Sequence, residues 1–102
     1  MPSFVLTRKA KADLKDIGRH TAGRWGREQR NRYLAMLDKH FHALADDPEG
    51  QGRDCGDIRP GYRKRRAGQH VIYYRPLDAD CIEIVRVLHG RMDAERHLPE
   101  SG

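Results

Sequence analysis

The sequence predicts an α+β domain in which an N-terminal helical hairpin packs on a small antiparallel sheet. The expected order is strand, helix, helix, three strands and a short C-terminal helix. Three observations carry this. Apolar residues from Ala10 to Leu44 recur at helical spacing; from Tyr62 onward the apolar runs shorten to strand length; and Gly, Asp and Pro clusters stand between those runs.

Phe4-Val5-Leu6 reads as a short strand and Thr7 as the N-cap of a helix beginning near Arg8. Ala10, Leu14, Ile17, Thr21 and Trp25 share one face of that helix, and Gly26 ends it. From Arg27 to about Ala45, Tyr33, Leu34, Leu37, Phe41 and Leu44 form a second stripe, so a short connection makes a hairpin whose core includes Trp25 and Phe41. Asp46-Asp47-Pro48-Glu49-Gly50 stops the second helix, and the segment through Gly56 reads as a loop. Tyr62 to Ala67, His70 to Pro76 and Cys81 to Leu88 read as three strands in meander order, with turns at Gly68-Gln69 and Asp78 to Asp80. The last strand is apolar on both parities apart from Glu83 and Arg86, which predicts a central position covered on both faces. The first strand is expected at an edge, and Met92 to Leu98 as a short final helix.

The chain has 20 Lys and Arg against 15 Asp and Glu, a formal charge of +5 and six histidines. That balance favours polyanions or acidic protein surfaces as partners. Between Ile58 and Leu77 stand Arg59, Arg63, Lys64, Arg65, Arg66 and Arg75 without a carboxylate, so a concave basic face is expected on the side of the sheet away from the helices. Cys55 and Cys81 share no short spacing, no apolar leader precedes the first strand, and no apolar run approaches the roughly 20 residues of a membrane span, which points to the cytoplasm.

Signatures of phosphate loops, nucleophile elbows, paired acidic nuclease motifs and zinc sites are missing, so neither a cofactor nor a metal is expected. What remains is a set of Arg, His and Tyr around the sheet, able to bind a polyanion or to cleave RNA without a metal. His70 shares a parity with Ile72 and Tyr74; for His70 and Tyr74, packing and ligand contact both stay open, while Tyr73 is assigned to the core. Arg86 falls on the parity of Ile82, Ile84 and Leu88 and needs a compensating partner, for which Asp93 and Asp57 are the candidates. His89, Arg91 and His97 follow the last strand, where side chains can reach the concave face.

Arg8-Lys9-Ala10-Lys11-Ala12-Asp13-Leu14, Trp25-Gly26, Gly61-Tyr62-Arg63, His70-Val71-Ile72-Tyr73-Tyr74-Arg75 and Ile84-Val85-Arg86-Val87-Leu88-His89-Gly90-Arg91-Met92-Asp93, taken in this order, resemble the ParE branch of the RelE/ParE toxins. The resemblance runs from about Phe4 to Leu98, with one toxin domain over 1–98 and a polar tail at 99–102. It implies a bacterial type II toxin that is neutralised by direct contact with a cognate antitoxin, a ParD-like ribbon-helix-helix protein, in a hetero-oligomer. ParE-like toxins act on DNA gyrase, whereas RelE-like relatives cut mRNA in the ribosomal A site without a metal. One scaffold serves both activities, so the fold does not choose between them.

A RelE-like nuclease set in this chain would be Lys64, Arg66, His70, Arg91 and His97. His70 stands where such nucleases are expected to carry an arginine, and His97 where a tyrosine would fall. That incomplete set favours gyrase inhibition, with ribosome-dependent mRNA cleavage as the alternative. Contacts to target or antitoxin are expected from Arg63, Lys64, Arg65, Arg66, His70, Tyr74, His89, Arg91 and His97.

Overall fold

The computed structural model describes residues 2–99; the rest of the expected polar tail, 100–102, lies outside the described residues. In chain order the elements are β1 (Ser3–Leu6), α1 (Arg8–Trp25), α2 (Arg27–Asp46), β2 (Arg53–Asp54), β3 (Arg63–Ala67), β4 (His70–Asp78), β5 (Cys81–His89) and α3 (Ala94–His97). The five strands form one sheet in the order β1-β5-β4-β3-β2. β5 is interior, as its two-sided apolar pattern predicts, and β1 is an edge.

Two features depart from the expected sheet. β1 runs parallel to β5, pairing Phe4 with Ile82 and Leu6 with Ile84, so the sheet is mixed rather than antiparallel. Alternation of side chains identifies a strand but not the direction of its neighbour. β2, inside the expected loop, pairs antiparallel with β3 through only Arg53 and Asp54, too few residues to show any period.

Local chemistry sets the junctions. Thr7 is the N-cap of α1: its Oγ1 accepts the Ala10 N–H at 3.0 Å and donates to the Val85 carbonyl at 2.7 Å, so one side chain starts the helix and ties it to β5. Gly26 separates the helices at φ 92°, a conformation that a side chain would strain. The turn between β3 and β4 uses Gly68 at φ 61°, where a Cβ would stand 2.8 Å from the Tyr33 hydroxyl.

The main core lies between the helices and the sheet, with Ile17, Leu37, Phe41 and Leu44 against Ile72, Tyr74, Ile82, Ile84 and Val87. A second cluster lies on the opposite face, where Tyr62, Tyr73, Val85 and Leu88 are covered by Cys55, Ala94 and Leu98. The expected concave basic face is therefore largely occupied by α3 and the chain leading into β3. Tyr73 is buried, as expected. A bulge accounts for the two-sided burial of β5: Tyr73 pairs with Arg86 but Tyr74 with Ile84, leaving Val85 as an extra residue. Beyond it the parity reverses, so Val87 joins Ile82 and Ile84 while Leu88 joins Val85.

Trp25 is 66% exposed and outside the core expected for it, because the stripe on α1 continues one turn past Thr21, its last buried member. Arg86 has a structural partner, but it is Asp13 on α1 rather than Asp93 or Asp57. Its Nε and Nη2 each donate to the Asp13 carboxylate at 2.8 Å, its Nη1 donates to the His97 carbonyl at 3.1 Å, and the Val87 N–H donates to the same carboxylate at 2.9 Å. The hydrogen bonds to Asp13 hold the Arg86 guanidinium pKa above its ordinary value. Asp93 instead caps α3 by accepting the Glu95 N–H at 3.1 Å.

The side chains of Arg86 and Asp13 are 13% and 12% exposed, so Asp13→Ala leaves a desolvated cation unpaired. It is expected to lower unfolding free energy by about 3 kcal/mol; a loss below about 1 kcal/mol in urea titration would show that the pair is not structural. At Gly52 an added Cβ would overlap the Tyr74 hydroxyl, which donates to the Pro48 carbonyl at 2.5 Å. Gly52→Ala should therefore destabilise more than Tyr74→Phe, whose lost hydrogen bond is worth about 1 kcal/mol. The reverse ranking of urea midpoints would contradict this packing.

Candidate functional site

Alternation along β3 divides its basic residues between two faces. Arg63 and Arg65 are turned to the end of α2 and the segment that follows it. Arg63 donates to the carbonyls of Pro48 at 3.2 Å, Glu49 at 3.0 Å and Gly52 at 3.0 Å. Arg65 donates to the Gln51 carbonyl at 2.6 Å and to Nδ1 of His40 at 2.8 Å. Burial, and then the charge of Arg65, hold the His40 pKa below its ordinary value. Tyr74, beside them, is wholly buried, and burial raises its phenol pKa. On the other face Lys64 is half-buried and Arg66 exposed.

The other arginines of the run are also engaged. Arg59 donates to the Glu95 carbonyl at 2.6 Å and so holds α3 against the sheet. Arg75 pairs with Glu83 at 2.9 Å and lies over the Tyr62 ring.

His70, His89 and Arg91 come together elsewhere, in an open cleft of about 920 Å³ between the C-terminal half of α1, the start of α2 and the ends of β4 and β5. His20, Arg24 and Trp25 from α1 and Tyr33 from α2 complete its walls. His70 and His89 are register partners, and their rings meet edge-on with centroids 5.4 Å apart. The Tyr33 hydroxyl accepts the Gln69 N–H at 3.1 Å and lies 2.6 Å from Nδ1 of His70. Burial, then the neighbouring His89, with a further contribution from His20, pushes the His70 pKa down and favours the neutral ring.

The five nuclease candidates are thus dispersed. His70 and Arg91 line the cleft; Lys64 lies on the other face of the sheet; Arg66 starts from that face but carries its guanidinium to Gly90, beside Arg91; half-buried His97 belongs to α3, where its carbonyl accepts from Arg86. Among the described residues no group of three or more His, Cys, Asp or Glu side chains is placed to hold a metal ion. Sequence reasoning assigned neither His20, Arg24 nor Tyr33 to a site. The available signal was the spacing of His20 and Arg24, four residues apart on one helix face and next to an aromatic.

Comparison with known proteins places this geometry in context. The sequence profile of the family described as ParE toxin of type II toxin-antitoxin system, parDE, matches residues 4–94. The chain is 43% identical over 95 residues to Toxin ParE1 of Mycobacterium tuberculosis, covering 93% of this chain and 96% of that protein. It is 41% identical over 98 residues to Toxin ParE1 of Caulobacter vibrioides, covering 96% and 99%, and 34% identical over 100 residues to Toxin ParE of Escherichia coli, covering 98% and 96%. Among solved structures it resembles the chromosomal ParDE TA system from P. aeruginosa, with a TM-score of 0.73 at 25% identity over 87% of this chain and 96% of that one. The toxin-antitoxin complex RelBE2 from Mycobacterium tuberculosis shares the fold, with a TM-score of 0.64 at 22% identity over 87% of this chain and 99% of that one. The chain has the α+β fold of the RelE/ParE toxins and belongs to the ParE toxin family of type II toxin-antitoxin systems.

Proposed function

We propose that this toxin arrests growth by inhibiting DNA gyrase without hydrolysing it or the DNA, and that a cognate ParD-like antitoxin neutralises it in a cytoplasmic hetero-oligomer. The observation that carries the choice is the dispersal of the metal-free nuclease candidates. Acid-base cleavage of RNA requires a proton-transfer group and the phosphate-stabilising cations around one phosphodiester. Here Lys64 projects from the face of the sheet opposite His70, and His97 lies in α3, outside the cleft that His70 and Arg91 line. Similarity to ParE toxins and to a chromosomal ParDE system supports the toxin-antitoxin setting.

An antitoxin segment has two features to use. The formal charge of +5 attracts an acidic chain, and exposed Trp25, Leu77 and Met92 offer apolar contacts to one that folds on binding. The sheet is also open at its edges, since β1 has a neighbour on one side only and β2 is two residues long.

Purified toxin added in stoichiometric excess is expected to inhibit gyrase supercoiling, and pre-incubation with the cognate antitoxin to restore it. Unchanged supercoiling together with A-site cuts on primer extension would replace this reading with ribosome-dependent mRNA cleavage. In cells the DNA-damage response should rise before bulk translation falls; the opposite order would have the same consequence.

A further inference from the structure

We infer that the cleft between α1 and the ends of β4 and β5 is a binding site for a nucleoside 5′-phosphate, free or as an unpaired unit of a nucleic-acid strand. Two facing imidazoles, His70 and His89, form its floor. The Tyr33 hydroxyl accepts the Gln69 N–H at 3.1 Å and shares a hydrogen bond with Nδ1 of His70, 2.6 Å away. Nδ1 of His89 accepts the Arg91 N–H at 3.2 Å. Nδ1 of both rings is thus engaged and neither Nε2 has a partner among the described residues; because Nδ1 of His89 accepts, its Nε2 carries the ring proton and is a free donor.

Arg24 and Arg91 add two guanidiniums, neither of them ion-paired among the described residues. The one carboxylate on the lining is Asp16, exposed and 3.8 Å from Arg19. Asp13, which also acts on His70, is occupied by Arg86 and the Val87 N–H. A site so rich in donors fits a ligand with several oxygen acceptors and negative charge, and a phosphate meets both requirements.

Trp25 indicates what accompanies the phosphate. Its indole is 66% exposed at the same rim, with the Arg24 guanidinium 5.7 Å from the ring centroid. An exposed aromatic beside a cation is the arrangement on which a base stacks while its phosphate is held. The volume of about 920 Å³ exceeds what inorganic phosphate fills and lies within the range of small-molecule sites.

Trp25 is the chain's single tryptophan, so its fluorescence reports directly on the cleft. The whole chain would be titrated with adenosine 5′-monophosphate, adenosine, inorganic phosphate and a 5′-phosphorylated single-stranded oligonucleotide, by fluorescence and by calorimetry. The monophosphate is expected to bind at least about tenfold tighter than adenosine or phosphate alone, and Trp25→Ala, Arg24→Gln and Arg91→Gln each to weaken it about tenfold. Lys64→Gln, on the other face, removes one charge without touching the cleft and should leave affinity unchanged.

Equal affinity for the monophosphate and the oligonucleotide assigns the site to free nucleotides; tighter oligonucleotide binding assigns it to a strand. No saturable binding, phosphate binding as well as the nucleotide, or Lys64→Gln weakening it as much as Arg24→Gln would overturn the proposal, the last by showing general attraction to a basic protein. Gyrase takes no part in this measurement, so its outcome is independent of the target proposed above.

Discussion

The carboxylate of Asp13 is the point on which the architecture closes. β1 stops pairing with β5 at Leu6 and Ile84, and beyond it the β5 edge would present an unpaired N–H at Val87. Asp13, projecting from α1, accepts that N–H and receives two more hydrogen bonds from Arg86. Arg86 in turn reaches the His97 carbonyl in α3. One acidic side chain thus joins the first helix, the interior strand and the C-terminal helix. The balance is asymmetric: desolvation offsets much of the attraction while the pair is intact, whereas removal of one partner leaves the other charged and poorly hydrated.

The same chemistry recurs through the arginine-rich half of the chain. Arg59, Arg63 and Arg65 each direct a planar fork of donors at backbone carbonyls in the short α3 and in irregular segments, at Glu95, at Pro48, Glu49 and Gly52, and at Gln51. Those carbonyls lack helical or ladder partners there, and a guanidinium can satisfy several at once. A lean core is thereby supplemented by charged groups that hold loops in place. Basicity in this protein is partly an internal construction material, and a count of positive charges overstates what is offered to a partner.

Element types were legible from the chain because local signals agreed: Thr7 as a cap, Gly26 between two apolar stripes, Gly68-Gln69 between two strands. What was not legible depended on distant residues. The bulge at Val85 exists only in relation to β4 and reverses the face assigned to Leu88. Asp13 and Arg86 are 73 residues apart, and nothing near either identifies the other. Trp25 obeys the helical period, but the surface it should pack on has ended by then. For the site, the sequence indicated His70, His89 and Arg91; it could not show that a fold brings His20, Arg24 and Tyr33 to the same cleft while placing Lys64 across the sheet.

The parallel pairing of β1 with β5 has a consequence for how the chain is made. Phe4 and Leu6 leave the ribosome well before their strand partners Ile82 and Ile84, because both helices and three strands lie between them in the chain. The helical hairpin can assemble early from local contacts, but the sheet cannot be completed until β5 has emerged. A nascent toxin therefore carries an exposed apolar hairpin and an unpaired first strand until β5 follows, and its final surface forms only after that pairing.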